Sequence, residues 1–333
     1  TNSAIDMPLF IKLTKFDFNF KICCMLGLMS DKPLLISSLI EHSSKYHAKT
    51  EIVYRDTRGL IKRTNYEDSY NRINRLANAL IEEGIKLGDR IGTLAWSNLR
   101  HFELYYGVSG IGAVCHTINP RLFEEQLIFI INDAKDKILF IDTEFSEILN
   151  RIANQLVYVK KIIYLCDKKD MPKIREFPQE TLCYEEFIND KKPLKKWPTF
   201  DEKTASSLCY TSGTTGKPKG VLYSHRSTII HSLAAATPDA MKISSTDVIM
   251  PIAPMFHANA WGIPYVATMV GAKLVLPGRF LDGKSIFELL EIEKVSFTAA
   301  VPTVWLMLFE HLDKNNLSLK FLDTCVIGGS ACP

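Results

Sequence analysis

An α/β fold of layered parallel sheets, with helices on both faces of each sheet, is predicted by three features of this 333-residue sequence. Short apolar runs of strand length recur along the chain. Segments with helical spacing of apolar residues fall between them. The two kinds alternate, which is the pattern of strand–helix–strand crossovers and so of parallel sheets covered by helices. With 47% hydrophobic and 23% charged residues, the composition is that of a globular chain able to bury a sizeable core.

Taken in order, residues 1–24, TNSAIDMPLFIKLTKFDFNFKICC, interleave Lys with Phe and contain neither a continuous apolar core nor a small-residue cleavage site. That argues against a signal peptide, and the stretch reads as a non-native or disordered leader before a start at Met25. Residues 70–83 place Ile73, Leu76, Ala77, Leu80 and Ile81 on one helical stripe, with Gly84 beyond as a C-cap. Strands are expected in RIGTLAW (90–96), KILFID (137–142), KKIIYLC (160–166), KLVLPG (273–278), SFTAAV (296–301) and LDTCVIGG (322–329). Helices are expected in FEEQLIFIINDA (123–134), FSEILNRIANQL (145–156), SIFELLEIEK (285–294) and VWLMLFEHLD (304–313). Residues 167–203 are dominated by Lys, Asp, Pro and Glu and read as a solvated surface connection.

Several function classes drop out. Lys plus Arg number 40 against 37 Asp plus Glu, and their interspersion leaves no basic footprint for nucleic acid. The longest uncharged run, 248–272, carries Pro251, Pro254, His257, Asn259 and Pro264, which a lipid-facing helix tolerates badly, so no membrane span is expected. Of eight cysteines only Cys23 and Cys24 are close, too close for a CxxC zinc pair. Free thiols of a reducing, cytoplasmic compartment are the expectation.

The stretch YTSGTTGKPKGVLYSH (210–225) carries the chemistry. It fails the P-loop pattern twice: Gly213 and Gly216 are separated by only two residues, and Pro218 follows Lys217 where a magnesium-binding hydroxyl belongs. Its donors still suit phosphate. Glycines let backbone N–H groups converge on an anion, the hydroxyls of Thr211, Ser212, Thr214 and Thr215 add hydrogen bonds, and Lys217 adds charge. The strand ASSLCY before it delivers the loop to a sheet's carboxyl edge, where α/β ligands bind. His225 reads as a group capping the helix after it.

This stretch resembles the signature of the adenylate-forming enzymes, the superfamily of acyl-CoA synthetases, aryl-CoA ligases, luciferases and peptide-synthetase adenylation domains. PMFHANAWGIPY (254–265) resembles that family's histidine-containing motif, and IGGSACP (327–333) its adenine- and acyl-lining segment. The likeness covers residues 25–333 and is strongest to medium- and long-chain fatty acyl-CoA synthetases and 3-methylmercaptopropionyl-CoA ligases. It implies the large N-terminal domain of that fold, an incomplete one. Residues 25–333 would then be part of an AMP-binding domain whose later motifs, hinge and small C-terminal domain with a catalytic lysine are absent, and which would be inactive alone.

The resemblance implies ATP, Mg2+ and CoA, and a small carboxylic acid as substrate. It assigns Thr211, Ser212, Gly213, Thr214, Thr215, Gly216 and Lys217 to the ATP polyphosphate, with Thr211 also on the metal. It sets His257 beside the α-phosphate and the acyl carboxylate. Ala258, Gly329 and Ser330 would border the bound adenylate, and Trp261 either lines the acyl channel or is plain core. As a helix, the second motif would put Trp261 on the same face as His257, four residues apart. A homodimer of the parent enzyme is a further expectation. The competing readings are a non-catalytic nucleotide-binding module, another adenylate-forming ligase such as an aryl-CoA ligase, and a phosphate-transferring NTPase.

Overall fold

Side chains alternate along each strand, so every apolar run is divided between two cores, and that division sets the layers. The computed structural model describes residues 29–173, 176–211 and 217–331. The chain falls into two units, residues 1–33 and 34–333, and the fold is that of the second. Its first elements are α1 (Ser37–Tyr46), β1 (Glu51–Arg55), β2 (Ile61–Asn65), α2 (Tyr66–Glu82), β3 (Arg90–Leu94), α3 (Leu99–Gly110) and β4 (Val114–Thr117). Then come α4 (Glu124–Ala134), β5 (Ile138–Ile141), α5 (Ser146–Ile152), β6 (Lys161–Tyr164), β7 (Glu180–Cys183), α6 (Tyr184–Asn189), β8 (Ala205–Thr211) and β9 (Lys219–Ser224). The last are α7 (His225–Ala235), β10 (Val248–Pro251), α8 (Ile263–Val270), β11 (Lys273–Leu276), α9 (Gly283–Ile292), β12 (Phe297–Ala300), α10 (Pro302–Asn315) and β13 (Thr324–Ile327).

Six strands pair in the order β13-β12-β10-β11-β1-β2 and seven in the order β7-β6-β5-β3-β4-β8-β9. Pairing is parallel throughout except at the edge pairs β1–β2 and β8–β9. In β5, Ile138 and Phe140 face a central core while Leu139 and Ile141 face an outer one. In β11, Leu274 and Leu276 face centrally and Val275 outward. The central core gathers α1, α2, α3, α6 and α8 through Ile40, Leu76, Phe102, Tyr184 and Tyr265. Helices α4 and α5 cover the far face of the seven-stranded sheet, and α9 and α10 that of the six-stranded sheet. The result is five layers, helix on sheet on helix on sheet on helix, as the alternating pattern predicts.

Helix α2 begins four residues earlier than its apolar stripe because the Asn65 side chain accepts from the Asp68 N–H, while Glu67 and Asp68 complement the helix dipole. It ends before Gly84, whose φ of +76° suits a left-handed C-cap. Ile81, assigned to the buried stripe, is exposed. Residues 167–203 are more than a surface connection: they contain β7 and α6, which bury Cys183, Tyr184, Phe187 and Ile188 beneath a charged exterior. Among the described residues, no helix is long and apolar enough to cross a membrane.

Candidate functional site

The three motifs sit at carboxyl ends of parallel strands, the edge at which α/β sheets bind ligands. Thr211 ends β8, the second motif comes after β10, and Gly328 and Gly329 come after β13. Ser212, Gly213, Thr214, Thr215 and Gly216 lie outside the described residues, as do Cys332 and Pro333.

The second motif is held by its main chain. Ile252 and Ala253 N–H both donate to the Ala299 carbonyl, at 3.0 and 2.7 Å. Met255 N–H donates to Ser97 Oγ at 3.1 Å, and the Tyr105 hydroxyl donates to the Met255 carbonyl. The side chain of Phe256 meets Trp96 edge to face, with centroids 5.7 Å apart. His257 is exposed and extended, with φ −131°.

Beyond His257 the chain does not form the helix face expected for His257 and Trp261. Ala258, Asn259, Ala260 and Trp261 have φ of 44°, 51°, 50° and 54°, and Gly262 has 75°, so the five residues form a left-handed turn. His257 and Trp261 therefore do not share a right-handed helix face. A left-handed conformation costs an L-residue about 1–2 kcal/mol, so only Asn259 and Gly262 enter it readily, and tertiary contacts must hold the others.

Those contacts are specific. Asn259 is buried; its Nδ2 donates to Ser207 Oγ at 2.8 Å and its Oδ1 accepts from the Cys209 thiol at 3.7 Å. Burial pushes the Cys209 thiol above its usual value, so it stays protonated and can donate. Thr117 Oγ1 lies 3.1 Å from the same sulfur. By strand alternation Thr211 lies on the face of β8 that carries Ser207 and Cys209, toward the turn. On the other side Trp261 packs against the third motif: a Cβ added to Gly328 would lie 3.0 Å from its indole. Gly329, with φ +84°, sits against Val301 at the end of β12, where an added Cβ would be 3.0 Å from Cγ1. Ser330 is exposed beside it.

Between this turn, β9, α7 and α8 lies a cavity of about 410 Å³, lined by Tyr223, Thr228, His231, Trp261, Gly262 and Tyr265 among others. Its size is that of a small-molecule site. The sequence pointed to Ala258 and Trp261 as lining residues; it singled out neither Tyr223 nor Tyr265, although they lie in the first and second motifs, and it carried no signal for Thr228 or His231 on α7, a segment with no motif of its own.

Lys217 stands elsewhere. Its ammonium lies 5.8 Å from the Phe129 ring centroid on α4, the helix against which Tyr210 also docks, donating from its hydroxyl to Asp133 Oδ2 at 2.6 Å. Burial and that carboxylate push the Tyr210 phenol far above its usual range, which keeps it a donor. His225 is the first residue of α7, not its cap, which is Ser224; its Nδ1 accepts from the Ile36 N–H at 3.1 Å, and burial lowers it to about 4.

A second cavity of about 410 Å³ opens at the other end of the carboxyl edges, among Arg55, Arg72, Arg100, Asp167, Glu185 and Arg279. These six are paired: Arg72 with Glu185, Arg100 with Asp167 and Glu185, Arg55 with Glu288, and Arg279 with Glu144. It reads as an ion-pair network between layers. Among the described residues no group of three or more His, Cys, Asp or Glu could hold a metal ion.

Known proteins resemble this chain in sequence and in fold. The family model described as AMP-binding enzyme matches residues 39–333. The chain is 50% identical over 309 residues to the 3-methylmercaptopropionyl-CoA ligase of Ruegeria lacuscaerulensis, covering 93% of this chain and 57% of that protein. It is 46% identical over 314 residues to the medium-chain-fatty-acid–CoA ligase of Ectopseudomonas oleovorans, covering 93% and 56%. Among solved structures, the anthranilate CoA ligase AuaEII in complex with anthranoyl-AMP superposes with a TM-score of 0.79 at 22% identity, covering 91% of this chain and 57% of that one, a likeness of fold. The chain thus spans just over half the length of the curated relatives it matches.

Proposed function

Because this chain belongs to the AMP-binding enzyme family, we propose that the protein carrying it is an ATP-dependent acyl-CoA synthetase for a medium-chain fatty acid or a short thioether acid. The observation that carries this reading is the cavity walled by Trp261, the left-handed turn and Tyr223, beside Ser207 of the strand that leads into the first motif. The names of the two relatives, a 3-methylmercaptopropionyl-CoA ligase and a medium-chain-fatty-acid–CoA ligase, support the acid class.

A free carboxylate is a poor electrophile: its charge repels nucleophiles and oxide is a bad leaving group. Attack of the carboxylate oxygen on the α-phosphorus of ATP, breaking the bond to pyrophosphate, gives acyl-AMP. The CoA thiol then adds to the acyl carbon and loses its proton, and AMP leaves with the bonding pair. The protein's work is placement and electrostatics. The acyl chain would lie against Trp261 and Tyr265, bringing its carboxylate toward His257, which is exposed and so free to face a ligand. Thr211 and Lys217 would take the outer phosphates. The exposed Thr211 hydroxyl is the hard-oxygen donor that Mg2+ accepts, the rest of its shell coming from phosphates and water; when bound, the ion would neutralise the phosphate charge.

Acid-dependent release of pyrophosphate rather than orthophosphate from ATP by the intact protein tests the reaction, and a panel of acids tests the class. Equal or better turnover of benzoates or amino acids would overturn the acid class; orthophosphate would overturn the reaction. Lys217→Ala should lower kcat/KM for ATP roughly 10- to 100-fold, the worth of a hydrogen bond to a charged group, and unchanged kinetics would remove Lys217 from the site.

A further inference from the structure

One short segment touches all three motifs. The turn at 258–262 belongs to the second, its Asn259 binds Ser207 and Cys209 on the strand that leads into the first, and its Trp261 packs on Gly328 of the third. The backbone there is intrinsically unfavourable for three of its five residues, so something other than local preference fixes it. Asn259 is the one buried side chain of the turn that forms polar bonds, and both of its amide atoms are used across the gap to β8. A buried carboxamide with both ends paired has one orientation, and losing either partner leaves an unpaired polar group inside the protein.

We propose that Asn259 is a positioning residue for acyl-chain recognition: its carboxamide ties the left-handed turn to β8 and so fixes the place at which the Trp261 indole closes the cavity. It need not touch the acid to set which acids fit. The wall it controls is narrow on the far side, where Gly328 leaves the indole no more than van der Waals room and Gly262 sits over His231, with an added Cβ only 3.4 Å from the imidazole. A released indole therefore moves into the cavity or out of it, and either motion changes the length of chain accommodated. This inference rests on the functional reading given above.

The test uses Asn259→Gly, which keeps a left-handed backbone accessible while deleting the carboxamide, in the intact protein. KM for the preferred acid should rise roughly three- to ten-fold, the worth of one or two neutral hydrogen bonds, while KM for ATP stays within about two-fold, a change too small to signal a lost contact. The chain-length profile should flatten. In the ligand-free protein, Trp261 emission, taken as the difference from a Trp261→Phe protein, should become more accessible to iodide. Ser207→Ala, which removes the partner from the β8 side, should act in the same direction and add little to Asn259→Gly in the double variant; it also serves if the glycine variant does not fold. An unchanged acid profile with unchanged quenching in either variant, or a rise in KM for ATP as large as that for the acid, overturns the proposal alone. No acid-dependent pyrophosphate release from the unaltered protein would overturn the functional reading and the acyl role of Asn259 with it.

Discussion

Replacing Arg72 with methionine isolates one charge of the central layer. The Arg72 guanidinium donates to both oxygens of Glu103, at 2.6 and 3.1 Å, and to both of Glu185, at 2.8 and 2.9 Å. The Glu103 side chain is 0% exposed, so water cannot replace the lost donor, and among the described residues only the Tyr184 hydroxyl, 2.6 Å away, remains. Glu185 is 29% exposed and keeps Arg100, so it adds little. Methionine preserves the packing of the arginine stem. The cost is then that of one stranded buried carboxylate, about 3–5 kcal/mol. In a chain of this size each kcal/mol moves Tm by about 1.5 °C, so Arg72→Met should melt roughly 4–8 °C below the unaltered protein by circular dichroism. Adding Glu103→Gln removes the orphaned charge and should restore about half of the loss or more. A single variant melting within about 2 °C of the parent, or a double variant melting no higher than the single, refutes the account.

Two more outcomes are expected from buried groups elsewhere. Burial lowers His225 from the usual 6.5 to about 4, so between those values the unfolded chain binds a proton that the native chain does not; its contribution to stability is full above pH 6.5 and is lost as the pH falls toward 4. Melting curves across that window should show the acid limb, and His225→Asn, which retains an acceptor for the Ile36 N–H without titrating, should flatten it, with His101, also lowered to about 4 by burial, sustaining the remainder. An identical slope in the variant would contradict this. Gly283→Ala places a Cβ 2.5 Å from the Met307 carbonyl oxygen, a backbone atom that cannot turn aside; the expected loss is about 1–3 kcal/mol in denaturant unfolding, and a neutral result would mean that α9 and α10 pack less closely than the structure shows.

The parts of the fold legible in the sequence are those in which one apolar run does one thing. In β5, β6, β11 and β12 both faces are buried, so the runs are continuous, and the helices between them carry apolar stripes at helical spacing. Where a short element is half covered by charge, as in β7 and α6, the lysines and acids of residues 167–203 hide a buried Tyr184. The site was legible as motifs and not as geometry. The turn at 258–262 reads as a helix because Ala258, Ala260 and Trp261 are not residues that announce a left-handed backbone; Gly262 and Asn259 were the only local signal, and the decisive partners, Ser207 and Cys209, lie some fifty residues away in sequence. Lys217 illustrates the converse: spacing says which residue carries charge, while its resting place over Phe129 depends on a helix that no motif mentions.

The turn is bonded to the seven-stranded sheet through Asn259 and stacked on a loop of the six-stranded sheet through Trp261. Its shape is thus written in two distant places as well as in its own residues. Transplanting residues 254–262 into another scaffold in order to import a pocket wall would carry over the letters without the conformation, unless counterparts of Ser207 and Gly328 travelled with them.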